Sequence, residues 1–160
     1  MPTSPNDDGA VERLRVLRSV IDANRFMTVA TADEQGTPWA SPVWFARRDE
    51  RRFLWASRPT TRHSRNIAAR PDVAIVLYDS RTTPDERQGV YDEATAKELE
   101  GEDLDAGIWA FSRESLSQGL SDWPRERVSG PASFRLYQAT ATTWFILADG
   151  PDERLPVPLP

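Results

Sequence analysis

Apolar positions recur along this chain in two rhythms. Val11, Leu14, Leu17, Val20 and Ile21 fall three and four apart, which predicts one face of a helix. Asp7 or Asp8 is placed to cap that helix, and Asn24 to end it in a left-handed turn. The pattern then changes. Phe26–Ala32, Thr37–Ala46 and Arg52–Ser57 are β-branched and aromatic runs separated by a turn at 33–36 and a charged hairpin at 47–51. Pro42 interrupts the second run, which implies an edge, a bulge or a gap filled by something other than a strand. Thr60 or Thr61 can cap a short helix, Arg62–Ala69, that stops before Pro71. Asp72–Asp79 is an unbroken apolar run that predicts a strand buried on both faces. After a polar loop at 81–87 come a strand at Gln88–Asp92 and a charged, weakly helical segment at Ala94–Glu102. A helix at Leu104–Leu120 and a loop at 121–131 follow. Two last strands are predicted at Ser133–Thr140 and Thr142–Ala148.

Seven strands with few helices predict a mainly β protein, an antiparallel barrel or sandwich decorated by helices. Residues 1–9 are polar and read as a disordered lead, and residues 149–160 as a proline-rich, non-helical tail. One domain is expected over 10–148. At 160 residues the chain can bury roughly 70% of its unfolded surface, so a core needs no staples.

Composition narrows the chemistry. Lys+Arg is 20 against Asp+Glu 25, a net charge of −5, which argues against a nucleic-acid partner. Cysteine is absent, which removes disulfides, thiolate catalysis and cysteine zinc sites. His63 is the only histidine, so no metal site with two histidines can form. The seven carboxylates of 92–105 lack the ordered spacing of a cation loop and read as a solvated face. No run is long enough to span a bilayer and no signal peptide is visible, so the expectation is a cytoplasmic protein with no membrane partner. Glycine-rich nucleotide loops and a G-x-S-x-G elbow are missing too. A Ser–His–Asp triad would have to use His63, and no spacing singles out its partners.

Two features remain. Ser57-Arg58-Pro59-Thr60-Thr61-Arg62-His63-Ser64-Arg65-Asn66 joins a strand end to a helix start. Hydroxyls, free helix amides and cations concentrated there suit a phosphate. A Thr-capped helix with a solvated basic face accounts for the same residues. Trp39, Trp44, Phe45, Phe53 and Trp55 lie on two neighbouring strands; singly they read as core, together as a dry wall for a flat ring.

The motifs Gly36-x-Pro38…Ser41-Pro42-Val43-Trp44-Phe45, then Phe53-Leu54-Trp55-Ala56-Ser57, then Arg62-His63-x-x-Asn66-Ile67 and Pro71-x-Val73-Ala74 carry a resemblance. In that order, over residues 10–148, the chain resembles the pyridoxamine 5'-phosphate oxidase-like family of FMN-binding split barrels. The resemblance implies a six- to seven-stranded antiparallel split β-barrel. It also implies a homodimer with FMN in two symmetric clefts. Phosphate and ribityl contacts fall on Ser57, Thr61, Arg62 and His63. The strand holding Pro42, Val43, Trp44 and Phe45 would offer backbone groups to the isoalloxazine, and Gln88 would touch the flavin. His63 stands where the family often has lysine.

The true pyridoxamine phosphate oxidases carry a C-terminal tryptophan and an Arg-x-His motif for their substrate. Here no histidine follows Trp144, and Arg154 is the only arginine left. A different substrate is expected. Three readings stay open: an FMN-dependent oxidoreductase, a reductase using the 8-hydroxy-5-deazaflavin coenzyme, and a flavin-binding module without turnover. The second needs a basic groove for an acidic polyglutamate tail, for which Arg47, Arg48, Arg51 and Arg52 are candidates.

Overall fold

The structure is a computed structural model that describes residues 5–148 and 152–158. A long helix α1 (Pro5–Ala23) leads into β1 (Phe26–Ala32), β2 (Pro38–Trp44), β3 (Ala46–Arg47) and β4 (Arg52–Ser57). Helix α2 (Arg62–Ala69) precedes β5 (Asp72–Tyr78) and β6 (Gly89–Glu98); α3 (Gly101–Ser117) precedes β7 (Arg135–Leu147) and β8 (Arg154–Val157). The strands form one antiparallel sheet in the order β2-β1-β5-β6-β7-β4-β3, with β8 added on β7.

The first and last strands of that order are pieces of one chain segment. Phe45 is the joint: its N–H donates to Arg25 O, while the next residue, Ala46, pairs with Leu54 of β4. The segment therefore leaves β1 and joins β4, which closes the sheet into a barrel and leaves β2 and β4 splayed apart. This is the expected split barrel. Val29, Val43, Phe53, Trp55, Ile75, Val90, Ala139 and Trp144 fill its interior. A second cluster, with Leu54, Leu99, Leu104, Phe111, Val128 and Leu136, seats α3 on the outside of β4 and β7. No described helix is long and apolar enough to cross a membrane.

Several expectations need correction. Residues 94–98, read as weakly helical, belong to β6, where Asp92, Ala94 and Ala96 face inward and Glu93, Thr95 and Lys97 outward. Their helix-forming composition is overridden by pairing with β7 throughout and with β5 at Ala94 and Thr95. The two strands predicted at 133–148 are one. The break between them is a bulge at Thr142, since Glu93 pairs with Thr143 and Ala94 with Ala141. The Thr142 hydroxyl donates to Glu93 O at 2.6 Å. Strand β5 is buried on one face only; Asp72, Ala74 and Tyr78 are exposed. Its long apolar run reflects bare sheet outside the barrel.

Helix α1 already includes residues 5–9, so the disordered lead is not found there, and neither Asp7 nor Asp8 stands at its start. Residues 1–4 of that expected lead lie outside the described residues. No non-glycine residue described has positive φ; Asn24 closes α1 instead through Nδ2, which donates to Val20 O at 2.7 Å. Of the expected tail, residues 154–157 extend the sheet as β8, and residues 149–151, 159 and 160 lie outside the described residues.

Candidate functional site

The splay between β2 and β4 is bridged at one point, by His63. Thr61 caps α2 in extended conformation and accepts from the Ser64 N–H, which aims the first turn of the helix at the gap. His63 Nδ1 lies 3.2 Å from Ser41 Oγ on β2. Its Nε2 lies 2.8 Å from Ser57 Oγ at the end of β4 and 3.2 Å from Thr61 Oγ1. Trp39 Nε1 donates to Ser41 Oγ at 3.0 Å, extending the chain of contacts to the outer end of β2. His63 and Ser57 are each only 8% exposed. Burial pushes the imidazole below its ordinary value, so it is neutral at pH 7 and one ring nitrogen accepts from a hydroxyl. The third member of this array is a serine where a hydrolytic triad would place a carboxylate, so nothing stabilises an imidazolium formed during proton abstraction.

Beside His63 lies a cavity of about 620 Å³. Pro42, Val43 and Trp44 of β2 form one wall, and Ala56, Ser57 and His63 another. Phe111 and Ser115 of α3, with Trp123 and Phe134 from the segment after it, close the far side. The aromatic side chains lock edge to face: Trp44 on Phe111 at 5.0 Å, Phe111 on Trp123 at 5.2 Å, Trp123 on Phe134 at 5.9 Å between centroids. Trp44 Nε1 also donates to Gln118 Oε1 at 3.1 Å.

The register explains why Pro42 is tolerated in this wall. Phe45 N–H donates to Arg25 O and Asp33 N–H to Thr37 O. The odd-numbered residues of β2 therefore exchange bonds with β1, and the backbone groups of Pro42 and Trp44 face the open side. Proline loses no ladder bond there, and the carbonyls beside it remain able to accept from a ligand. At the end of α2, the N–H groups of Arg62 and His63 have no partner among the described residues, because Thr61 serves those of Ser64 and Arg65.

The sequence candidates are thus only partly brought together. Pro42, Val43, Trp44, Ser57 and His63 line the cavity, and Thr61 touches His63. Arg62 lies at the helix end but turns away: its guanidinium stands 4.7 Å over the Trp39 ring and 3.9 Å from Asp33 Oδ2. Phe45 is buried in the barrel core against Phe53. Gln88 lines a separate recess with Asp79, Thr82 and Glu86. The candidate basic groove is largely neutralised: Arg47 pairs with Asp22 and Glu50, Arg48 with Asp103, Arg52 with Asp49. Sequence reasoning missed Ser41, Phe111, Ser115, Trp123, Arg127 and Phe134. A tryptophan followed by two arginines inside an otherwise polar loop, Ser121-Asp122-Trp123-Pro124-Arg125-Glu126-Arg127, was the available signal.

The sequence pattern of the pyridoxamine 5'-phosphate oxidase family matches residues 15–148. No curated protein matches the sequence. Among solved structures, a heme binding protein from Mycobacterium smegmatis superposes with a TM-score of 0.67 at 19% identity, covering 98% of this chain and 59% of that one. This chain thus spans less than two thirds of the mycobacterial protein's length. HutZ, the heme storage protein from Vibrio cholerae, gives 0.64 at 19% identity, over 84% of this chain and 94% of that one. An F420 reductase gives 0.56 at 18% identity, over 79% and 94% respectively. At these identities the likeness is one of fold.

Proposed function

The chain belongs to the pyridoxamine 5'-phosphate oxidase family, and from that premise we propose that it is an FMN-binding oxidoreductase, working as a cytoplasmic homodimer. The carrying observation is the meeting of hydroxyls, an imidazole and unpartnered helix amides beside an aromatic-walled cavity, at the one place where the barrel is split. This donor set suits a ribityl phosphate. The amides of Arg62 and His63 and the Ser57 and Thr61 hydroxyls donate to phosphate oxygens, and the α2 dipole favours the charge. Arg62 is half-exposed and holds Asp33 only loosely, at 3.9 Å; it exchanges that partner for the dianion. The exposed carbonyl edge of Pro42 and Trp44 receives the polar rim of the ring, and the aromatic wall keeps water from it. Bound FMN supplies the electron and hydride transfer, so the protein's part is to bind, orient and desolvate.

Homodimer formation is supported by the half-bare β2, where Trp39 is 42% exposed and even-numbered backbone groups have no strand partner. The relatives by fold suggest two other cofactors, and the geometry favours neither. A deazaflavin with a polyglutamate tail needs a run of open cations, whereas three of the four candidate arginines of that groove, Arg47, Arg48 and Arg52, are paired. A heme iron held by His63 would need a free ring nitrogen, whereas both nitrogens contact serine hydroxyls. The test is titration of the purified protein with FMN, the deazaflavin coenzyme and heme, followed by absorption and flavin fluorescence. FMN binding that is weakened in Ser57→Ala and Arg62→Ala supports the reading; preference for either other cofactor, or none for FMN, refutes it. A loaded protein whose flavin no reductant can reduce would be a carrier without turnover.

A further inference from the structure

The cavity wall carries one formal charge and nothing to neutralise it. Arg127 is the only arginine or lysine among the residues lining it, and no carboxylate lines it. The side chain is held in place: Nη1 donates to Asp122 O at 2.8 Å and the guanidinium lies 3.9 Å over the Trp123 ring. These contacts occupy one face and one N–H, and among the described residues no acid pairs with it. Arg58 repeats the arrangement at the rim, with its guanidinium 5.6 Å from the centre of the Phe134 ring. Its backbone is pinned by the Thr61 N–H, which donates to Arg58 O at 3.0 Å. Trp123 and Phe134 are themselves in contact. A row of cation, arene, arene and cation (Arg127, Trp123, Phe134, Arg58) thus edges the cavity.

We propose that Arg127, assisted by Arg58, is a specificity-determining residue that selects a planar aromatic carboxylate as the second ligand of this cavity, beside the flavin. The inference rests on the reading above that the α2 end holds the FMN phosphate, which leaves the loop side for the substrate. The aromatic walls bury the ring and the guanidinium takes the carboxylate through its free N–H edge. A neutral ring of the same shape gains the walls but not the charge.

The test is calorimetric titration of the full chain with 2-naphthoate and with the uncharged 2-naphthamide, once without flavin and once saturated with FMN. The acid should bind about tenfold tighter or better, the scale of one charge-assisted hydrogen bond. Arg127→Gln should bring the acid down to the amide's affinity and leave the amide unchanged, Arg127→Lys should keep most of the preference, and Arg62→Gln should keep all of it. Arg127 is exposed, and unchanged amide binding reports that the variant is folded. An acid preference that survives Arg127→Gln, no preference in the wild type, or displacement of naphthoate by FMN overturns the proposal. The FMN isotherm is read separately: if FMN fails to bind while the preference holds, the flavin reading falls and the anion site stands.

Discussion

Asp92 is the most costly polar residue in the barrel, and its cost depends on pH. It points inward from β6, is 2% exposed, and neither carboxylate oxygen has a partner. Directly across the ladder stands Trp144, whose indole N–H is also unpartnered. Burial, with a smaller push from the neighbouring Glu93 charge, raises the carboxyl from its ordinary 3.8 to about 8. The folded protein therefore holds this proton more tightly than the unfolded chain does. Stability from this group is complete below about pH 4, falls as pH rises through the window, and levels off above about pH 8. At about 1.4 kcal/mol per pH unit, moving from pH 5 to pH 8 removes about 3–4 kcal/mol. That is a large part of the 5–15 kcal/mol typical of a domain. The perturbation is Asp92→Asn, which keeps the shape and has no proton to lose. Urea unfolding of both proteins at pH 5, 6, 7 and 8 provides the comparison. As one buried neutral polar group replaces another, the variant's lead should be about 1–2 kcal/mol at pH 5 and should grow by about 3–4 kcal/mol more by pH 8. Parallel pH profiles would show that the Asp92 carboxylate finds solvent or a counter-charge, and would refute the reasoning.

Three further outcomes follow from the geometry. A Cβ on Gly107 would lie 2.6 Å from Leu99 Cδ1 and 3.1 Å from Leu136 Cδ2, so Gly107→Ala should lose about 1–2 kcal/mol by overpacking despite its better helix propensity, as read by thermal unfolding. In FMN titrations, Arg62→Ala should weaken binding more than Trp44→Ala, by about 1.5 kcal/mol or more, since Trp44 serves the ring chiefly through its backbone; the reverse order would displace the phosphate from α2. His63 is neutral when free because burial lowers it, and a bound dianion favours its protonated form, so FMN affinity should rise between pH 8.5 and 6.5 relative to His63→Lys in the same buffers. Parallel profiles in that comparison would place His63 outside the phosphate's field.

Much of this protein follows from local pattern. The β-branched, alternating run at Phe26–Ala32 is a strand because its alternation leaves one face to bury, and the aromatic run at Arg52–Ser57 is one buried on both faces. Thr61, three residues ahead of Ser64, caps α2 because its hydroxyl reaches that amide whatever the rest of the chain does. The Ser57–Asn66 segment, read as a site from hydroxyls, cations and a helix start within ten residues, needs only local geometry to assemble. Long-range contacts decided the remainder. Ala94–Glu98 is a strand only because β7 pairs with all of it and β5 with its first two residues. The Thr142 bulge and the crossing at Phe45 exist because two strands must stay in register around a closed barrel. Arg62 turned from the cavity because Trp39 and Asp33, 23 and 29 residues earlier, happen to stand beside it. Arg127, 64 residues beyond His63, became part of the same cavity only when α3 folded back on β4 and β7. A hydrophobic pattern specifies which face of an element is buried but not which distant residue covers it, because burial has no direction and any apolar surface of the right shape satisfies it. The choice of partner is made by the closure of the sheet, and with it the chemistry of the cavity.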